Sequence, residues 1–156
     1  MSFQIIARTG FPDFLDLPWE LPLEEWQSGR LVEVASGIHR HVVRFVNYSG
    51  DLYALKELPE RLADNEYRLL RDLAAHAIPS VEAVGVVRDR GRDSHGDIDA
   101  VLITRYLDFS LPYRTVFVAL GSPVLNDTLL DALALLLVRL HSIGFFWGDC
   151  SLSNAL

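Results

Sequence analysis

The chain has 156 residues, 50% of them apolar, and a net charge of −7. This is enough apolar material for one ordinary domain core, and charged residues spread without low-complexity tracts exclude a chain dominated by disorder. So acidic a balance repels phosphate backbones, which excludes nucleic acid as the main partner.

The single cysteine, Cys150, has no internal disulfide partner. The first ten residues lack the basic start and apolar core of a signal peptide, so a cytoplasmic location is expected. Residues 1–30 carry Pro12, Pro18 and Pro22 among Phe11, Phe14, Trp19 and Trp26, and read as an extended leader with aromatic anchors and little regular structure. Apolar and β-branched runs at Leu31 to Val34, His41 to Val46 and Leu52 to Leu55 are separated by Ser36-Gly37 and by Asn47 to Asp51. That pattern predicts three antiparallel strands joined by hairpins. Pro59 suits a first helical turn, and Leu62, Glu66, Leu69, Leu70 and Leu73 then recur at helical spacing until Pro79. Val84 to Val87 and Val101 to Thr104 flank the polar stretch Arg88 to Asp99, which reads as a hairpin with a long solvated loop. After Tyr106 an aromatic and proline-rich loop leads to Thr128-Leu129-Leu130-Asp131, a capping-box pattern, and to a helix running to Gly144.

Between Leu129 and Leu140 only Asp131 and Arg139 are polar. The stretch is far shorter than the roughly 20 residues of a membrane span, so no transmembrane helix is expected. A helix apolar on nearly all sides must nevertheless be covered by other structure. The cover is expected from sequence beyond Leu156, which makes the chain a fragment; the alternatives are cover by the leader or by a second copy of the chain. Left uncovered, the helix is expected to drive self-association.

Four segments could carry chemistry. The run Leu140-His141-Ser142-Ile143-Gly144 leads into Phe145-Phe146-Trp147-Gly148-Asp149, with Asn154 five positions after Asp149. Tyr53-Ala54-Leu55-Lys56 ends the third predicted strand, and Ile103-Thr104-Arg105-Tyr106-Leu107 follows the fifth. Between the first two strands lies Ser36-Gly37-Ile38-His39-Arg40-His41, with one glycine; a Walker-A sequence is absent. His39 and His41 are too few for a metal site, and Cys150 reads as a small loop residue rather than a nucleophile.

The segment around Asp149 resembles the catalytic segment of protein kinases, and Tyr53 to Lys56 resembles the kinase strand whose lysine binds the α- and β-phosphates. Trp147 and Gly148 stand where eukaryotic protein kinases have His-Arg, whereas a glycine before the catalytic Asp is familiar from sugar, antibiotic and lipopolysaccharide kinases. Over residues 31–156 the chain is similar to a bacterial lipopolysaccharide-kinase-like family of unknown function, most clearly in residues 66–73 and 144–154. The resemblance implies an α+β, protein-kinase-like fold. It would comprise the leader (1–30), an N-lobe (31–107) with a five-stranded antiparallel sheet and one amphipathic helix, and the first part of a helical C-lobe (108–156).

It also implies ATP, Mg²⁺ and phosphoryl transfer to an acceptor such as a sugar or a lipopolysaccharide-type glycan. Asp149 would take the acceptor's proton, Asn154 would bind Mg²⁺, Lys56 would hold the phosphates and Glu66 would fix Lys56. Ser36 and Gly37 would lie over the phosphates, and Arg105, Tyr106 and Leu107 would form the adenine-binding hinge. The family's second metal-binding Asp would come after Asn154, so this chain by itself is expected to be inactive and to bind ATP weakly. The alternative reading is a nucleotide-binding pseudokinase or scaffold.

Overall fold

The computed structural model describes residues 3–34, 41–93, 96–108, 110–120, 123–148, 150, 151 and 155. The chain divides into two compact units, one of Met1–Asp72 with Ser80–Tyr106 and one of Leu73–Pro79 with Leu107–Leu156.

The first unit is built on an antiparallel sheet of six strands, one more than expected. In chain order these are β1 (Gln4–Ala7), β2 (Leu31–Val32), β3 (Val43–Tyr48), β4 (Asp51–Leu58), β5 (Ala83–Arg88) and, after a small separate hairpin of β6 (Arg92–Asp93) and β7 (Gly96–Asp97), β8 (Ala100–Arg105). Their spatial order is β1-β5-β8-β4-β3-β2. The added strand comes from the leader, which pairs Gln4 to Ala7 against Arg88 to Gly85. Only glycine permits this pairing at position 85, because a Cβ there would lie 2.6 Å from the Ile6 carbonyl oxygen.

Strand alternation gives the sheet two different faces. On one face Tyr53, Leu55, Val46, Tyr48, Val84, Val87, Val101 and Ile103 pack under the leader's Phe14, Leu17, Trp19, Leu23 and Trp26. The leader is therefore a folded layer of the core, with a turn of 3-10 helix at Leu23–Glu25. Its indoles keep their hydrogen bonds while buried: Trp19 Nε1 donates to the Phe14 carbonyl at 2.7 Å and Trp26 Nε1 to that of Leu21 at 2.9 Å. On the other face Leu58, Val86, Ala100 and Leu102 meet helix α1 (Glu60–Ala75) through Ala63, Tyr67 and Leu70. The packed stripe of α1 differs from the expected one, for Leu62 and Leu69 are exposed. With Glu66 turned to the sheet, the i, i+3, i+4, i+7 neighbours on its side are Ala63, Glu66, Tyr67 and Leu70.

Arg90, expected in a solvated loop, is 2% exposed. Its Nε donates to the Trp19 carbonyl at 2.8 Å and its Nη1 to Glu57 Oε1 at 2.5 Å and to the Asp99 carbonyl at 2.7 Å, while Nη2 donates to the Leu21 carbonyl. Glu57 also accepts from the Leu23 backbone N–H. A second tie holds the leader at the surface, where Asp16 accepts from the Tyr48 hydroxyl and from Arg30 Nε at 2.7 Å.

The second unit contains α2 (Tyr113–Leu120) and α3 (Pro123–Ser142). The expected loop before the last helix is thus helical. Pro112 supplies the preorganised start, with its carbonyl accepting from Thr115 N–H at 2.8 Å, while Thr115, Val116 and Val118 lower the helical propensity visible in sequence. Thr128 does not cap α3, because α3 begins at Pro123 and the Thr128 hydroxyl donates back to the Val124 carbonyl at 2.9 Å. Leu73, Ile78 and Leu140 form this unit's buried core, with Leu136, Leu137, Phe145 and Trp147 against it. No helix among the described residues is long and apolar enough to cross a membrane.

Two outcomes follow from the leader's ties. Arg90→Met strands the Glu57 carboxylate beneath the leader and should cost about 3–5 kcal/mol in urea unfolding, the usual penalty for breaking a buried pair; a loss below about 1 kcal/mol would refute the clamp. Asp16 is held below its ordinary value of 3.8, first by the Tyr48 hydroxyl and then, against the opposing effect of burial, by Arg30. A depressed carboxylate contributes stability fully above its unfolded value and loses it as pH falls through its folded one. Wild type should therefore exceed Asp16→Asn in urea midpoint at pH 7, and the two should converge as the pH is lowered below about 4.

Candidate functional site

Lys56 is on β4 and Glu66 on α1, ten residues apart, and the two meet on the helix-covered face of the sheet. The Lys56 ammonium donates to Glu66 Oε1 at 3.0 Å and Oε2 at 2.9 Å. Alternation along β4 explains why Glu66 is the partner rather than the nearer Glu57. Glu57 points to the opposite face, where Arg90 holds it. Helix α1 returns over β4 because Ala63, Tyr67 and Leu70 pack on Leu58, Val86 and Leu102, which sets Glu66 above the lysine.

The surroundings of the pair are apolar. Cross-strand pairing puts Val43 beside Lys56 and Leu102 on its other side, and one row along it aligns Phe45, Ala54 and Thr104. Phe45 is buried, and Val43, Ala54 and Thr104 are half-buried. The Tyr106 ring stands edge-on to Phe45 with centroids 5.5 Å apart. A cation held by a carboxylate thus borders a surface of aliphatic and aromatic side chains on one sheet face. The expected site did not include Val43, Phe45, Ala54 and Thr104. The signal for them was the two-residue alternation in β3, β4 and β8.

The expected hinge is only partly available for backbone contacts. Arg105 N–H donates to the Glu82 carbonyl and Tyr106 N–H to that of Leu52, each at 2.9 Å, so both donors already belong to the sheet. The Arg105 side chain is taken up by Asp51 at 2.7 Å, and the Leu107 carbonyl accepts from the Ser110 hydroxyl at 2.8 Å. Ser36, Gly37, His39, Asp149 and Asn154 lie outside the described residues. Of the segment before Asp149, α3 ends at Ser142, and Gly144 adopts φ +79° so that Phe145 N–H returns to the Leu140 carbonyl at 2.9 Å. This is the left-handed helix stop that favours glycine, and it fixes the direction in which the chain leaves α3. His141 stacks on Phe146 with centroids 6.4 Å apart, and Cys150 is exposed. Among the described residues no group of three His, Cys, Asp or Glu side chains could hold a metal ion.

No family model, no curated protein and no solved structure matches the chain.

Magnitudes separate the two ion pairs of β4. The side chains of Lys56 and Glu66 are 35% and 39% exposed, whereas those of Arg90 and Glu57 are 0% and 11% exposed. A pair as open as the first contributes at most about 1 kcal/mol, because water screens it and two long side chains must be ordered. Glu66→Gln should accordingly shift urea stability by less than about 1 kcal/mol. A larger loss would make the pair a structural device instead of an available functional group.

Proposed function

We propose that the chain belongs to a kinase-like, ATP-dependent phosphotransferase, with Lys56 as the phosphate-binding cation. The observation that carries this reading is the two-pronged Lys56–Glu66 pair, joining the middle of a sheet to the helix that follows it. A lysine left exposed at a strand end would need no such partner. Here Glu66 restrains the ammonium while contributing little to stability, which suits a group kept in place for a ligand.

The chemistry of the surroundings agrees with a nucleotide. An ammonium has three N–H donors, and with two directed at Glu66 one remains for a phosphate oxygen. Val43, Ala54, Thr104 and the Phe45–Tyr106 pair offer an apolar bed for a flat base on the same face. The architecture supports the reading as well: strands β2, β3, β4, β5 and β8, with α1 between β4 and β5, occur in the order that the resemblance implies.

In the proposed reaction the acceptor's hydroxyl oxygen bonds to the γ-phosphorus, and the bond from that phosphorus to the β-phosphate oxygen breaks. ADP leaves with the electron pair, and the hydroxyl proton passes to the Asp149 carboxylate. Mg²⁺, for which Asn154 is the candidate ligand, would neutralise charge on the phosphates. The acceptor proposed is a sugar or lipopolysaccharide-type glycan, and a cytoplasmic setting with its ATP supply goes with it.

Calorimetry with ATP tests the reading. Lys56→Met should weaken binding at least about tenfold with the fold intact by circular dichroism. Asp149→Asn should leave ATP affinity unchanged and reduce phosphoryl transfer about 10²- to 10⁴-fold wherever turnover is measurable. Equal ATP affinity in wild type and Lys56→Met would overturn the assignment. Binding that depends on Lys56 without any turnover would favour the pseudokinase alternative.

A further inference from the structure

Helix α3 has two unlike long faces. Leu125, Leu129, Leu133, Leu136, Leu137 and Leu140 lie on one side and are half-buried or buried. The opposite stripe runs through Val124, Thr128, Asp131, Leu135, Val138, Arg139 and Ser142, and every member is exposed, with Val124 at 77%, Leu135 at 61% and Val138 at 60%.

The polar groups of this stripe are arranged unusually for a solvated face. The Thr128 hydroxyl is turned back to the Val124 carbonyl and the Ser142 hydroxyl to the Val138 carbonyl at 2.8 Å, so neither competes for an outside partner. The charges on this side are Asp127, one turn before Asp131, then Asp131 and Arg139. Asp131 lies four residues before Leu135 and Arg139 four residues after it, on the same stripe. The Arg139 Nη2 donates to the Ala77 carbonyl at 2.6 Å, which leaves further donors of the guanidinium.

A stripe with an apolar centre and opposite charges at equal distances on either side is complementary to itself when reversed. We infer that this face of α3 binds a second copy of the chain, the two helices crossing antiparallel about a two-fold axis at Leu135. In that arrangement Asp131 of each copy meets Arg139 of the other, Thr128 meets Ser142, and Leu135 meets its own symmetry mate. A two-fold interface requires this reciprocity, in which i meets j and j meets i. The charges fix the antiparallel orientation, since a parallel pairing in register would set Asp131 against Asp131 and Arg139 against Arg139. The inference is independent of the phosphotransferase reading and uses none of its residues.

Sedimentation of the 156-residue chain over a range of concentrations tests it, with circular dichroism as the check on folding. Wild type should show a reversible monomer–dimer equilibrium. Asp131→Arg, which alters an exposed side chain, should weaken the dimer at least about tenfold, and so should Arg139→Asp. The double exchange Asp131→Arg with Arg139→Asp restores both charge pairs and should return the dimer to near wild-type affinity. A chain that stays monomeric throughout, association untouched by the single reversals, or a double exchange no better than the singles would each overturn the inference.

Discussion

The first unit depends on the burial of one guanidinium. Arg90 is enclosed between the sheet and the leader, with Glu57 and the carbonyls of Trp19, Leu21 and Asp99 around it. Taking a charge out of water costs several kcal/mol, and burial indeed pulls the Arg90 guanidinium below its ordinary value against the hold of Glu57. Such a group persists only where its donors meet fixed acceptors. It therefore demands that the leader pass close to β4 with the carbonyls of Trp19 and Leu21 aimed inward. The aromatic layer of Phe14, Trp19 and Trp26 supplies apolar burial, and Arg90 supplies its register.

Strand β4 carries this requirement through the sheet. Glu57 and Lys56 are consecutive, so alternation sends them to opposite faces. On the closed face Glu57 joins a dry cluster; on the α1 face Lys56 joins an ion pair that water still reaches. The two pairs differ in energetic kind. The buried one is costly to break and specifies where the leader lies, while the open one is worth little to stability and leaves a cation positioned.

What the sequence made legible follows from how local each signal was. The strands around the Asn47 to Asp51 turn and α1 rest on periodicity and short spacing, and they occur close to the expected positions, whereas the contact of Lys56 with Glu66 was expected only from the kinase resemblance. Strand β1 was hidden because Gln4 to Ala7 is a four-residue edge strand whose partner, β5, is some eighty residues away. Arg90 was hidden for a related reason: a lone arginine in a polar loop carries no sign that the leader will close over it. Helix α2 was obscured by β-branched residues, and Thr128 offered a capping pattern that the earlier start of α3 at Pro123 overrode. The segment carrying Asp149 and Asn154 gave the strongest sequence signal, but those two residues themselves lie outside the described ones, so the structural support for the proposed function comes from Lys56 and its surroundings.

The leader also decides which face of the sheet can receive a ligand. Beneath it Trp19, Phe14, Leu23, Leu55 and Val84 are fully buried, and an incoming ring would have to displace side chains already packed edge to face. Losing that contact would cost about 1.5–3 kcal/mol for each large side chain exposed. On the α1 face the helix covers Leu58, Val86, Ala100 and Leu102, but the row of Val43, Ala54 and Thr104 remains half-buried beside Lys56. A ligand with an apolar plane and an anionic tail can bury the first on that row and neutralise the second at the lysine without dismantling any packing. By closing one face so completely, the leader leaves to the proposed nucleotide the side on which Lys56, the single lysine of the sequence, is already held by Glu66.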